Sequence, residues 1–449
     1  MRVAFLSLPV DFSGEYDFQS MNFAPNAAMY LLSSILMDAG VDVRVIDPTT
    51  VTADLKTQSL REVLTSRLKG CRVVCISSNT LTWPSTIIAI KHIRSVFRGD
   101  VKIVLGGLHP TYCYEYIMSS YDIDFILRGE AEATLIELIE AIISGSSFDK
   151  IRGLVMRGKD LALSNELPVM GSDVFHGLPL PAYNKLPDLV YRALPIETSR
   201  GCRFNCIFCS IPHRNNWRSF NICDAVSRGV NTIAKYIHKF KMRHIFMTDD
   251  CFTSDFARAV YILEQIYEKH PDISITIETR VSDWTAAGES ISLAVLQRND
   301  IRLAFGVESG YNEGLKRISK GLMIENVEKV LSILEANYLT RKSYFSFIIG
   351  FPWERVDDCI RTISFAAALE KRYGPGIVNL NWLMMLPSRI WEKRDCYGIK
   401  CDDSIFDNNV FEIDTHSNGF HPFINRSERN YINHIIMRYE DKGIFLRNP

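Results

Sequence analysis

The sequence predicts an α/β protein built from two successive runs of βα units. The first is a doubly wound parallel sheet over residues 1–145. A linker and hairpin at 146–190 lead to a partial βα barrel over 191–385, and a small α+β cap closes the chain over 386–449. Three observations carry this. Short, almost wholly apolar runs alternate with amphipathic stretches of helical period, which is the pattern of parallel strands covered on both faces. The alternation stops once, in a proline-rich stretch, and then resumes. The length, 449 residues, exceeds what one core serves.

In the first part, "RVAFLSLP" reads as a strand and "NAAMYLLSSILMDAG" as a helix closed by glycine. The segments "VDVRVIDP" and "CRVVCISSN" follow as strands, and "TWPSTIIAIKHIRSVF" as a helix. "VKIVLGG" and "DIDFILRGE" are the fourth and fifth strands, and "AEATLIELIEAIIS" is the closing helix. The segment "GLVMRGKDLALSNELPVM" resembles a hairpin, and "GLPLPAYNKLPD" is the proline-rich crossing. Beyond it, "LPIETSRG", "MRHIFMTDD", "ISITIETR", "IRLAFGVES", "SYFSFIIGF" and "VNLNWLMML" are six strands separated by helical stretches, the count of an open or closed βα barrel.

The chain is 47% hydrophobic and 23% charged, with a formal net charge of −1. No basic surplus points to nucleic acid. No apolar run reaches the length of a membrane span, and no cleavage site follows the first strand, so a cytoplasmic protein is expected. Nothing in the chain sets its oligomeric state.

Three of the eleven cysteines, Cys202, Cys206 and Cys209, crowd into "TSRGCRFNCIFCS", in the loop after the first barrel strand. Barrel active sites form at that rim. In a reducing compartment, clustered cysteines read as metal ligands or catalytic thiols. A structural zinc site takes four protein ligands. Three thiolates in a compact loop suit a 4Fe–4S cluster with one iron left open for a ligand; a zinc loop or chance spacing is the plainer alternative.

With Phe208 before the third cysteine, Cys-x3-Cys-x2-Cys resembles the signature of the radical S-adenosylmethionine (SAM) superfamily. The resemblance implies that the open iron binds SAM, and that one electron cleaves SAM to methionine and a 5′-deoxyadenosyl radical. Further motifs follow in the family's order. "FMTDD" brings Asp249 and Asp250 to the rim, as cofactor or substrate ligands or as helix caps. "FGVESG" offers Glu308 and Ser309 to the ribose or methionine part of SAM, where a carboxylate can accept from two hydroxyls. "SFIIGFPWE" resembles the adenine segment near Gly350. The family form has Gly-Glu after the proline and this chain has Trp353-Glu354, which puts any role of Glu354 in doubt. Arg218 matches a family arginine, either a carboxylate partner or a solvated side chain.

The first part, with "ISSNTLTW", "GGLHPTYCYEYI" and "LRGEAEATLIELI", resembles the cobalamin-binding domain of the cobalamin-dependent (class B) radical SAM enzymes. Ser77, Ser78, Thr80, Gly106, Gly107, His109, Gly129 and Glu130 sit at the carboxyl ends of its strands, where ligands of such sheets bind. Each also has an ordinary reading as turn glycine or hydrogen-bonded polar group. A further segment, Asp414 to Gly419 ("DTHSNG"), has the form of a cobalt-ligating histidine motif but lies in the cap, and is read as chance. Cys396-x4-Cys401 could begin an auxiliary cluster, though no further cysteine follows. The other cysteines read as small buried hydrophobes or incidental thiols, and Cys251, directly after the aspartate pair, could face the active site.

The resemblance implies an enzyme with a 4Fe–4S cluster, SAM and cobalamin, acting on a small-molecule carbon. It implies an external reductant of flavodoxin or ferredoxin type and no nucleic-acid or membrane partner. Two chemistries stay open: cobalamin-dependent C-methylation, and radical dehydration, rearrangement or oxidation steered by an acid or base among Asp249, Asp250, Glu278 and Arg280. A methylthiotransferase is disfavoured, because the extra cluster cysteines of that group are not arranged here. An iron–sulfur redox sensor is the alternative from another class.

Overall fold

The computed structural model describes residues 1–12, 24–157, 167–187, 191–212, 215–287, 293–409, 421–444 and 446, apart from the side chains of Ser172 and His238. The chain divides into two compact units. One comprises Met1–Leu194, Lys235–Met242 and Asp402–Glu412; the other comprises Pro195–Ala234, Arg243–Cys401 and Ile413–Pro449. No described helix is long and apolar enough to cross a membrane.

In the first unit β1 (Arg2–Leu6), β2 (Asp42–Ile46), β3 (Val73–Ser77), β4 (Lys102–Gly106), β5 (Phe125–Leu127) and β6 (Leu154–Met156) form one sheet in the order β2-β1-β3-β4-β5-β6. The first five strands run parallel, with Phe5 opposite Cys75 and Cys75 opposite Val104. The order reverses between β1 and β3, so a ligand crevice is expected outside their carboxyl ends. β6 comes from the segment read as a linker. It pairs antiparallel with β5 as the sheet edge, Phe125 opposite Met156.

Among the helices that went unread, two carry capping signals. Asp47 caps Pro48–Asp54, with proline at its first position, and a Ser59–Glu62 capping box opens Leu60–Leu68. Both signals are in the sequence, but weak apolar periodicity hides them. Asp47 also accepts hydrogen bonds from Tyr30 Oη (2.7 Å) and Tyr191 Oη (2.8 Å), which ties the end of the crossing segment to this unit. The 3-10 turn Asp403–Asp407, from the segment read as a cap, packs here too. Asp407 accepts from Trp83 Nε1 and Tyr116 Oη, and Phe406 meets His109 edge-on at 5.4 Å.

The second sheet joins β7 (Ala193–Ile196), β10 (His244–Met247), β11 (Ser274–Thr279), β12 (Ile301–Glu308), β13 (Ser343–Ile349) and β14 (Val378–Trp382) in sequence order from edge to edge. All six were read from the sequence. Consecutive strands from β10 to β14 pair in parallel, and β7 and β14 end the sheet, so the barrel is partial. Between β7 and β10, β8 (Ser199–Arg200) and β9 (Arg218–Ser219) form a short antiparallel ribbon. A register shift between Gly306 and Glu308 ends β12, and Glu308 there takes φ +75°. Such a bulge re-aims the side chain that follows it. Among the described residues beyond 386, the elements are helices and 3-10 turns. The largest, Arg426–Glu440, holds Trp382 Nε1 on Asn433 Oδ1 at 2.9 Å.

Candidate active site

The β8–β9 ribbon closes the base of the loop that carries the three cysteines. The pair of aspartates after β10 anchors that loop from beneath, and the two do different things. Asp249 is 1% exposed and accepts from Thr198 N (2.8 Å), Thr198 Oγ1 (2.7 Å) and Ser199 Oγ (2.5 Å). Asp250 accepts from Gly201 N at 2.7 Å. Burial outweighs these donors and pushes both carboxyls up to about 6. Farther along, Ile207 N donates to Ile318 O and Cys209 N to Cys206 O.

These elements surround a cavity of about 310 Å³ at the carboxyl ends of the strands. Cys202, Cys206 and Cys209 lie on its wall with Phe204, Phe208, Asp250, Glu278, Arg280, Glu308 and Lys320. Cys202 and Cys206 are buried and Cys209 is half-buried. Burial pushes the Cys202 thiol up, and that of Cys209 up to about 11. Among the described residues, no three His, Cys, Asp or Glu side chains gather tightly enough for one metal ion. A mononuclear site, with metal–sulfur bonds of about 2.3 Å, would draw the sulfurs together. Three thiols on one cavity wall, with apolar rings beside them and a guanidinium at Cys206, fit an anionic cluster.

Glu308, turned inward by the bulge, pairs with Lys320 Nζ at 3.0 Å; both are buried. Glu278 opens into the cavity from β11. Its pKa is raised by burial and by the neighbouring carboxylates Asp250 and Glu308. The wall beyond is small on β12, at Ala304 and Gly306, and polar on the next two strands, at Tyr344, Ser346 and Asn379.

Four of the expected residues lie outside the wall. Asp249 lies beneath the loop. Arg218 is on β9 opposite Arg200. Ser309 is fully buried, its Oγ donating to Tyr311 O at 3.5 Å. Gly350 has φ +83°, and a Cβ on it would come within 2.6 Å of the Trp382 ring, so its glycine is fixed by that ring. Sequence reasoning missed Lys320, Phe204, Tyr344, Ser346 and Asn379. The alternation in "SYFSF" could have flagged Tyr344 and Ser346, whereas Lys320 arrives from a turn that no pattern marks.

Glu354, whose role the sequence left in doubt, is fully buried. It accepts from Gly350 N (2.7 Å), Phe351 N (3.0 Å) and Tyr311 Oη (3.1 Å), and so pins the turn after β13. Phe351 in turn stacks on Trp353 and meets Phe208 edge-on at 5.9 Å. Burial pushes Glu354 up to about 7, from a usual 4.5. A raised carboxyl pKa means the folded chain holds its proton longer than the unfolded one. This contribution is therefore present below about pH 4.5 and is lost as pH rises to about 7. The stability of wild type relative to Glu354→Gln is expected to fall by up to about 3 kcal/mol between pH 5 and pH 8, read from urea unfolding midpoints at both values.

In the first unit the expected ligand residues do gather at the carboxyl ends of β3, β4 and β5, but most are occupied with one another. Ser77 Oγ accepts from Asn26 Nδ2 (3.0 Å), and Ser78 Oγ lies 3.0 Å from Thr86 Oγ1. Glu130 accepts from Met170 N. Gly107 has φ +102°, and a Cβ there would sit 2.4 Å from Ser78 O. Its glycine is therefore demanded by a neighbouring strand end, as well as leaving the rim low between Gly106 and Gly129. His109 is fully buried, 4.7 Å from the Trp83 ring, with Nδ1 at 3.3 Å from Thr80 Oγ1. Burial lowers its pKa to about 3, and its Nε2 has no partner among the described residues. Enclosed in this way, the ring does not open onto the rim. A corrin held here would rest on backbone and on the low glycine rim.

Cys251 is buried and its thiol donates to Asp283 Oδ2 at 3.1 Å. Cys396 is exposed and Cys401 half-buried. The Asp414–Gly419 segment lies outside the described residues.

Comparison with known proteins agrees with both halves. Residues 196–366 match the radical SAM superfamily and residues 20–139 the B12 binding domain. An uncharacterized methyltransferase of Pyrococcus horikoshii is 31% identical over 282 residues, which are 61% of this chain and 59% of that protein. This chain thus spans under two thirds of that relative. The fold is shared with the cobalamin-dependent S-adenosylmethionine radical enzyme OxsB, solved with aqua-cobalamin and S-adenosylmethionine bound, at TM-score 0.70 and 17% identity over 98% of this chain and 67% of that one. It is also shared with the radical S-adenosylmethionine methyltransferase TsrM of Kitasatospora setae, solved with tryptophan and a SAM analogue, at TM-score 0.67 and 16% identity, covering 98% and 89%. The radical SAM domain implies SAM and a 4Fe–4S cluster, and the B12 binding domain implies cobalamin.

Proposed function

From a chain that belongs to the radical SAM superfamily and carries a B12 binding domain, we propose a cobalamin-dependent C-methyltransferase acting on an unactivated carbon of a small molecule. The observation that carries this is one cavity whose wall holds all three cysteines together with Phe208, Asp250, Glu278, Arg280 and Glu308. When bound, the cluster supplies the electron that cleaves SAM, and cobalamin supplies a methyl group.

The chain's own part is to bind, orient and keep water out. Cys202, Cys206 and Cys209 hold the cluster, and Phe204 and Phe208 cover it from solvent. Glu308 offers a carboxylate to ribose hydroxyls, with Lys320 setting its orientation. Gly306 leaves room for the Glu308–Lys320 pair, since a Cβ there would meet Glu308 Oε1 and Lys320 Nζ, and Tyr344, Ser346 and Asn379 give the substrate hydrogen bonds. The substrate is a natural-product or cofactor intermediate. The reductant is a flavodoxin or ferredoxin type protein. Near-zero net charge supports a partner set without nucleic acid, and three cysteines clustered in one loop suit a reducing cytoplasm.

A second reading, radical dehydration, rearrangement or oxidation, is favoured by one feature: Glu278 opens into the cavity with a raised pKa and could take a proton from a substrate radical. Anaerobic incubation with SAM and dithionite separates the readings. S-adenosylhomocysteine alongside 5′-deoxyadenosine supports methylation. 5′-Deoxyadenosine alone, from cobalamin-loaded protein with its substrate, supports the second. Neither product contradicts both.

A further inference from the structure

Arg280, at the end of β11, is only 7% exposed. Three contacts fix its guanidinium. The plane lies 3.6 Å over the Phe204 ring, Nη1 donates to Cys206 Sγ at 3.5 Å, and Nη2 donates to Lys320 O. Its Nε is buried with no hydrogen-bond partner among the described residues. Among those residues, no carboxylate lies within ion-pair distance of it, whereas its neighbour Lys320 has Glu308 at 3.0 Å.

Asp283 attracts Arg280 from beyond ion-pair distance and is itself engaged by Cys251 and Thr253, so the buried guanidinium keeps a charge that is only partly compensated. A neutral thiol at Cys206 does little to offset that. A thiolate bound to an anionic cluster offsets it directly, and a planar guanidinium clamped on an aromatic ring is already in place to donate to sulfur. We propose that Arg280 is the counter-charge and hydrogen-bond donor of the cluster, a positioning residue that acts through Cys206 to tune the reduction potential. The acid–base role the sequence allowed it is thereby set aside. N–H···S bonds and nearby positive charge favour the cluster state with one more electron, so Arg280 raises the potential. That electron comes from the external reductant, and no proton leaves the guanidinium.

This rests on the cluster reading above, and the test keeps the two apart. The full chain, reconstituted with iron and sulfide without oxygen, is titrated with mediators and followed by electron paramagnetic resonance. Arg280→Met is expected to keep about four irons and to move the potential negative by at least 59 mV, a tenfold loss in the one-electron reduction constant. Arg280→Lys keeps the charge and moves it less. Full iron with an unmoved potential in Arg280→Met overturns the inference. If Arg280→Met holds no iron, Arg280→Lys decides: restored iron supports a need for charge at this place. Iron lost in both, with native far-ultraviolet circular dichroism, means the side chain serves only as shape, and overturns it. A wild-type chain that takes up no iron overturns the cluster reading itself.

Discussion

Replacing Cys202, Cys206 or Cys209 with alanine is expected to take reconstituted protein from about four irons per chain to background, and to abolish 5′-deoxyadenosine formation. Cluster assembly needs all three thiolates, because the cavity wall presents no fourth cluster cysteine: Cys251, its only other thiol among the described residues, is engaged with Asp283. The metal-free fold should hardly notice. Trimming one thiol removes a single heavy atom, a change of about 1 kcal/mol. The three variants should therefore melt close to metal-free wild type while losing all iron. Iron retained by all three variants would mean that the cysteines serve another purpose.

Asp249→Ala should show the opposite pattern, with stability lost first. Its carboxylate accepts from three donors at the start of the cysteine loop, and buried Arg258 donates to Thr198 O beside it at 2.6 Å. Alanine leaves those donors unmet and Arg258 without the nearby negative charge. Removing one partner from such a buried arrangement costs about 3–5 kcal/mol, on the order of 10 °C in melting temperature. Asp249→Asn keeps one acceptor oxygen and should cost less. Differential scanning calorimetry of metal-free protein measures both. An Asp249→Ala chain that melts with wild type while losing catalysis would move Asp249 from the loop's base into the chemistry.

The pair Asp249-Asp250 shows where sequence reading stops. "FMTDD" places two carboxylates at a strand end, but adjacent residues of an extended chain face opposite ways. One reaches the cavity and the other the loop's base, and the sequence does not say which. The strands themselves were legible because burial on both faces leaves near-continuous apolar runs. The three cysteines were legible because their spacing is a property of one loop. Lys320 was not, since it reaches Glu308 from a turn following a short helix and only tertiary packing brings the two together. Glu354 was readable as a departure from a motif but not as an anchor, because its partners are backbone amides and Tyr311 from another βα unit. On the first unit, glycines and serines at strand ends were legible as a rim. That Gly107 is needed by Ser78, and that His109 is shut among Trp83 and Phe406, required coordinates.

The central claim is that one chain holds both a SAM-cleaving cluster and a corrin. Metal analysis with an ultraviolet–visible spectrum tests it most directly, on protein purified without oxygen, reconstituted with iron and sulfide, supplied with hydroxocobalamin and desalted. The account predicts about four irons and about one cobalt per chain, one corrin for one B12 binding domain. Iron without cobalt would contradict the cobalamin half and leave the first unit as a scaffold, and protein with neither metal would contradict the account as a whole.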